Sequence, residues 1–189
     1  MMKVVAIAGS IVGSKTKTAM QYVTNILSEK YPDLEVTLLN LADYDIQFSD
    51  GRNYIDYKGD TKQVAETIMA ADVLLIGTPI FQASIPGTLK NMFDLLPVNA
   101  LEGKVVSIIT TAGSEKHYLI PEQQLKPILG YMKANILQNY VFITDVDFYQ
   151  KKIINDDVLF RLERLVDDTM TLAETYHQIR ESKDAEYDF

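Results

Sequence analysis

The chain has 189 residues, 47% of them apolar and 23% charged, a balance that fits a folded protein with a real core and rules out a disordered one. The formal net charge of −8 argues against nucleic acid or an anionic membrane as a general partner, because both need a basic face. Cysteine is absent, which excludes disulfides, thiolate metal sites, cysteine nucleophiles and thiol redox chemistry, so any redox chemistry must run on a borrowed cofactor.

At about 150 residues per domain the length implies one domain, residues 1–189. The opening MMKVVAIAGS is apolar for only about six residues before Gly9, too short for a secretory signal or a membrane span, so the expected location is cytoplasmic. Residues 4–8 read as the first strand. A helix over 16–30 follows, with Met20, Val23, Ile26 and Leu27 on one face. Residues 36–39 form the second strand. The segment 43–60 has neither period yet carries Tyr44, Phe48, Tyr54 and Tyr57; it is either a functional loop or one packed on its own aromatics. A second helix covers 61–71 and a third strand 73–77. Pro86 suits a first helical turn, and Leu89, Met92, Phe93 and Leu96 continue the third helix until Pro97. A fourth strand over 105–110, a helix over 123–134, a fifth strand over 141–144 and a last helix over 156–181 complete the chain.

The strands are uniformly apolar, as strands covered on both faces must be. Strict alternation with right-handed crossovers then gives an α/β fold, a doubly wound parallel sheet of five strands in the flavodoxin-like order 2-1-3-4-5 with helices on both faces. Ligands in such sheets bind outside the carboxyl ends of the strands near the first. Three loops therefore carry the candidates.

After the first strand, Ser10, Ser14, Lys15, Thr16, Lys17 and Thr18 run with Gly9 and Gly13 into a helix N-terminus. Hydroxyls, lysines and unpaired amides make this a phosphate site; the plainer alternative is a helix simply capped by Ser14. Three residues separate the glycines and Ser14 precedes Lys15, so neither a Walker A loop nor a GxGxxG fingerprint is present. After the third strand, Pro79 stiffens Thr78 and presents Ile80 and Phe81 as a ledge on which a flat ligand can lie and take backbone hydrogen bonds; otherwise this is an ordinary turn with a core phenylalanine. After the fourth strand, Thr111, Ala112 and Gly113 allow close backbone approach, and Gln82, Ser114 and His117 are candidates for the substrate side. His177 lies too far along the chain to suggest a metal pair with His117, and no metal is expected.

Together these loops resemble the NADPH-dependent FMN reductase family. TPIFQASIPGTLKNMFDLLP is similar to that family's signature of TP with Ile or Val and Tyr, then GxLKxxxDxLP. The stretch from Leu101 through Gly113, His117 and Leu125-Lys126-Pro127 to Val141-Phe142 resembles the branch that feeds alkanesulfonate-type monooxygenases. The resemblance implies FMN, with its phosphate on Ser10, Ser14 and Thr16, charge from Lys15 and Lys17, and its ring between Thr78 to Phe81 and Thr111 to Gly113. Three departures stand out: Val12 replaces the usual loop arginine with one residue missing nearby, Phe81 replaces a tyrosine, and Ile85 and Pro86 replace a Tyr and Ser of some members.

The implied activity is hydride transfer from NADPH or NADH to FMN, with electrons passing to free flavin, a quinone or an azo compound. A monooxygenase partner and a homodimer or homotetramer are further expectations, the latter because Met92, Phe93, Leu95 and Leu96 ring the third helix. The alternatives are a flavodoxin-type electron carrier, which the acidic charge suits, and a weaker P-loop nucleotide kinase. FMN and NAD(P)H are anions, so their attraction must be local, from Lys15 and Lys17 within about 8 Å. Lys151 and Lys152 are the expected remote control.

Overall fold

Uniform apolar runs become central strands because helices cover both of their faces. The computed structural model describes residues 1–187. In it β1 (Lys3–Ala8), β2 (Glu35–Asn40), β3 (Val73–Pro79) and β4 (Val105–Ala112) lie parallel in the order β2-β1-β3-β4. The fifth position is filled in two pieces, β5 (Asn135–Ile136) beside Val105 and Val106, and β6 (Val141–Thr144) beside Ile109 to Ala112. The expected order holds, while the fifth strand is interrupted because the polar Gln138 and Asn139 turn out to solvent between its halves.

Alternate residues feed two cores, as the two-residue period of a strand requires. Val5, Ile7, Leu74, Ile76 and Ile108 pack against Val64 and Ile68 of α2 (Gly59–Ala70), Leu89 and Met92 of α3 (Gly87–Asp94) and Leu129 of α4 (Lys126–Tyr131). Val4, Ala6, Leu75, Ile109 and Ile143 pack against Met20, Val23 and Leu27 of α1 (Lys15–Lys30) and Leu162, Val166 and Met170 of α5 (Asp156–Tyr187).

Two expectations change, and the alternatives left open for the long loop narrow. The helix expected over 123–134 begins as a π-helical turn, Pro121–Leu125, before α4. Pro127 has no N–H to donate to the carbonyl of Gln123 and its ring crowds that carbonyl, so the turn widens there. Met92, Phe93, Leu95 and Leu96 are all buried inside the chain itself, which removes the argument from α3 to a second subunit. The long aromatic loop is pinned to the domain body and only in part to its own residues: Tyr44 and Tyr54 pack against the core while Phe48 stands 82% exposed. Tyr57 is buried and donates to Asp50 (2.8 Å), and Asn91 of α3 accepts from the Ser49 amide while donating to the Gln47 carbonyl, both at 2.9 Å.

A short hairpin that the sequence pattern did not announce follows β6, with β7 (Phe148–Tyr149) and β8 (Lys152–Ile153) paired antiparallel. Its two turn residues, Gln150 (φ 45°) and Lys151 (φ 61°), are both left-handed.

Candidate functional site

Parallel strands deliver all their carboxyl ends to one edge of the sheet. There the loops after β1, β3 and β4, joined by the loop after β6, surround a cleft of about 420 Å³. It is lined by Val12, Gly13, Ser14, Lys15 and Thr16 on one side, Pro79, Ile80 and Phe81 on another, and Thr111, Ala112, Gly113 and Asp145 on the third.

The first loop can lie this close because two glycines meet beneath it. The Gly9 amide donates to the Gly77 carbonyl at 2.8 Å, and a Cβ on Gly9 would stand only 2.8 Å from the same oxygen. Gly13 then turns the chain at φ +82°, a conformation open to glycine. Ser14 occupies the N-cap of α1, but its hydroxyl makes no cap hydrogen bond, so the alternative of a helix capped by Ser14 fails. The helix's first bond runs from the Thr18 amide to the Ser14 carbonyl. The amides of Lys15, Thr16 and Lys17 precede it and have no acceptor among the described residues, as the first turn of a helix dictates. Three aligned donors, a free hydroxyl, the positive end of the helix dipole and Lys15 together form a cradle of the kind in which helix N-termini bind anions.

Two contacts fix this cradle to the rest of the cleft. The buried hydroxyls of Thr16 and Thr111 meet at 2.7 Å, tying the N-terminus of α1 to the end of β4. Lys15 Nζ lies 2.7 Å from Asp145 Oδ1 and 5.8 Å from the centre of the Phe148 ring. The turn that carries Asp145 is closed through Asp147, which accepts from the Thr144 amide and hydroxyl at 2.7 and 2.8 Å and from Asn155 at 2.7 Å. Burial would raise the Asp147 pKa, but the Asn155 and Thr144 hydrogen bonds and the charge of Arg161 outweigh it and hold the carboxyl below its ordinary value.

The ledge after β3 is rigid for a different reason than proline alone. The Ile80 amide donates to the Thr111 carbonyl (3.1 Å), and Phe81 and Ser84 exchange both backbone bonds across a two-residue turn. Gln82 (φ 44°) and Ala83 (φ 57°) form that turn, both left-handed, where Asn-Gly would be the relaxed choice. Phe81 is left 39% exposed, so it is not a core phenylalanine. The expectation of backbone hydrogen bonds from Ile80 and Phe81 to a ligand is overturned, because both amides are already used. The amide of Gly113 has no partner among the described residues and is the donor this end of the cleft offers.

Several candidates lie elsewhere. Ser10 is buried with its hydroxyl closed on Val12, donating to the carbonyl at 2.6 Å and accepting from the amide at 3.1 Å. Thr78 is fully buried and donates to the Pro79 carbonyl, so its side chain is structural. Lys17 and Thr18 face a neighbouring groove, and Lys17 pairs with Asp43 at 3.9 Å. Gln82 projects from its turn, Ser114 accepts from the Lys116 amide, and His117 is half-buried in the following 3-10 turn; none of the three lines the cleft. Asp145 was missed. Its signal was its place directly after the fifth strand, since that strand's end faces the same edge.

The order 2-1-3-4-5, with an anion cradle after β1 and a flat cleft between the ends of β3 and β4, defines a flavodoxin-like protein that holds a phosphorylated planar cofactor. The profile of the family described as "NADPH-dependent FMN reductase" matches residues 2–147, and the chain belongs to that family. It is 38% identical over 165 residues, 87% of this chain and 89% of the relative, to an NAD(P)H-dependent FAD/FMN reductase of Geobacillus thermodenitrificans. It is 30% identical over 190 residues to the FMN reductase (NADPH) of Escherichia coli, covering 98% of this chain and 93% of that one. Among solved structures, an NADH:FMN oxidoreductase in its apo form superposes with a TM-score of 0.75 at 26% identity over 90% of each chain. The cofactor is therefore FMN, with a reduced nicotinamide nucleotide as donor. Among the described residues no helix is long and apolar enough to cross a membrane.

Proposed function

We propose that the cleft holds FMN with its phosphate on the first turn of α1 and its ring between the Pro79 to Phe81 ledge and Thr111 to Gly113, and that the enzyme reduces flavin for a diffusible acceptor. The observation that carries this reading is the set of unpartnered amides at Lys15, Thr16 and Lys17 beside the uncapped Ser14 hydroxyl and Lys15. Bound FMN supplies the redox chemistry, hydride passing from nicotinamide C4 to flavin N5. The chain's part is to position and polarise. The strained ledge keeps Phe81 against one side of the cleft, while the Gly113 amide is the donor that would stabilise negative charge developing on a ring bound there. The Thr16 and Thr111 hydroxyls share one hydrogen between them and leave the other free for the ligand. No side-chain acid or base is required.

Free FMN, a quinone or an azo compound can then accept the electrons, and the reduced flavin can serve a monooxygenase; a homodimer or homotetramer as the active form now rests only on the general prevalence of symmetric homo-oligomers. Steady-state oxidation of NADPH and NADH by the purified protein, with FMN, a quinone and an azo dye in turn, tests the proposal. FMN-dependent turnover supports it. A protein that neither binds FMN nor oxidises the nucleotide faster when FMN is added contradicts it.

A further inference from the structure

Beside the cleft, and sharing Ser14 with it, lies a second groove of about 690 Å³ between α1 and the β7–β8 hairpin. Tyr22, Ile153 and Leu159 give it an apolar floor, and Lys17, Lys151 and Lys152 stand on its rim. This corrects the expectation that Lys151 and Lys152 are remote from the phosphate loop. Among the described residues neither of those two lysines has a carboxylate within 4 Å, and Lys17 has only Asp43 at 3.9 Å, so three weakly compensated cations line one groove in a protein whose net charge is −8.

The hairpin is tied to α1 beside this groove. Lys151 sits at φ 61° after Gln150 at 45°, left-handed conformations that side-chain-bearing residues adopt at a cost relative to glycine. The Thr18 hydroxyl of α1 donates to the Lys151 carbonyl at 3.3 Å. Strained positions of this kind persist where surrounding structure over-determines them, and ligand clamps are among the places where they cluster.

We infer that this groove receives the adenosine 2′-phosphate end of NADPH and so selects NADPH over NADH, an inference that rests on the reductase reading of the adjoining cleft. The purine suits the Tyr22, Ile153 and Leu159 floor. A phosphate monoester carries close to two charges at neutral pH and draws on several lysines as point charges. NADH lacks this group, whereas both nucleotides carry the pyrophosphate. Discrimination is therefore the property to measure.

The test uses the FMN-loaded protein and the Lys151→Ala/Lys152→Ala variant, with Lys62→Ala/Lys133→Ala as a control of equal charge on other surfaces. In the lysine-tip variant KM for NADPH rises about tenfold, equivalent to about 1.4 kcal/mol, while kcat and both parameters for NADH stay within twofold. The control leaves all four unchanged. In parallel, calorimetric titration with adenosine 2′,5′-bisphosphate shows binding to the parent protein that the tip variant loses. Equal losses for NADPH and NADH, or no change in either, overturn the inference even when the enzyme turns over normally. Should neither nucleotide support turnover, the reductase reading fails, and the calorimetric arm still decides whether the groove binds the bisphosphate through these lysines.

Discussion

Replacing Asp145 with asparagine tightens FMN binding. Asp145 holds Lys15 at 2.7 Å across the mouth of the phosphate cradle, so an incoming phosphate competes with an internal carboxylate for the same ammonium group. Both side chains are about half exposed, at 41% and 53%, which places the pair among surface ion pairs worth about 0.2–1 kcal/mol. Removing the competitor returns that amount to the ligand, an FMN dissociation constant lower by about 1.4- to 5-fold. The gain shrinks as salt rises, because screening weakens both the pair and the repulsion between carboxylate and phosphate. Lys15→Ala weakens FMN, and in that background Asp145→Asn gives a smaller gain than in the parent, since part of its effect runs through the missing lysine. Titration of flavin fluorescence at low and at physiological salt reads all four variants. Weaker binding in Asp145→Asn, or an identical gain with and without Lys15, refutes the competition.

The turn that builds the ring ledge gives a second expectation. Ala83→Gly relieves about 1–2 kcal/mol of left-handed strain against roughly 0.5–1 kcal/mol of lost chain restriction, so Tm rises by up to about 6 °C, while a slacker ledge lowers FMN affinity; a lower Tm opposes this account. Gly9→Ala forces a methyl to 2.8 Å from the Gly77 carbonyl and costs about 1–3 kcal/mol, lowering Tm by about 2–12 °C, measurable by calorimetry. Asp147 supplies a pH dependence: its folded pKa lies below the unfolded value of about 3.9, so its stabilisation is complete above that pH and is lost as pH falls through the folded value. Asp147→Asn flattens that acid limb of the denaturation profile, and an unchanged slope argues against it. Tyr140 titrates at the other extreme. Burial first, then Tyr118 and Glu122, raise its pKa to about 12, so the stability tied to its neutral form is full below about pH 10 and lost between the two values; ultraviolet titration of Tyr140→Phe against the parent isolates that step.

Strands and helix faces were legible because burial imposes a period on them. Val73 to Ile76 and Val105 to Ile109 could only be doubly covered strands, and the sheet order followed. The two tight turns were not legible, since Gln82-Ala83 and Gln150-Lys151 hold left-handed conformations without the glycine or asparagine that normally marks them. Nine of the thirteen cofactor candidates line the cleft; Lys17 and Thr18 face the neighbouring groove, and Ser10 and Thr78 are lost to hydrogen-bond accounting. Composition shows that a hydroxyl is near a loop; only the fold shows that Val12 and Pro79 already occupy it. The apolar ring on α3 misled for a related reason, because the long loop, stapled through Asn91, buries a face that looked free.

Anaerobic mixing of the FMN-loaded protein with NADPH tests the central claim most directly. Rapid loss of the oxidised flavin's visible absorption, slowed by the Lys15→Ala exchange in proportion to lost FMN occupancy, is the expected result. Flavin that stays bound and oxidised in the presence of both NADPH and NADH would contradict the account and leave an electron carrier in its place.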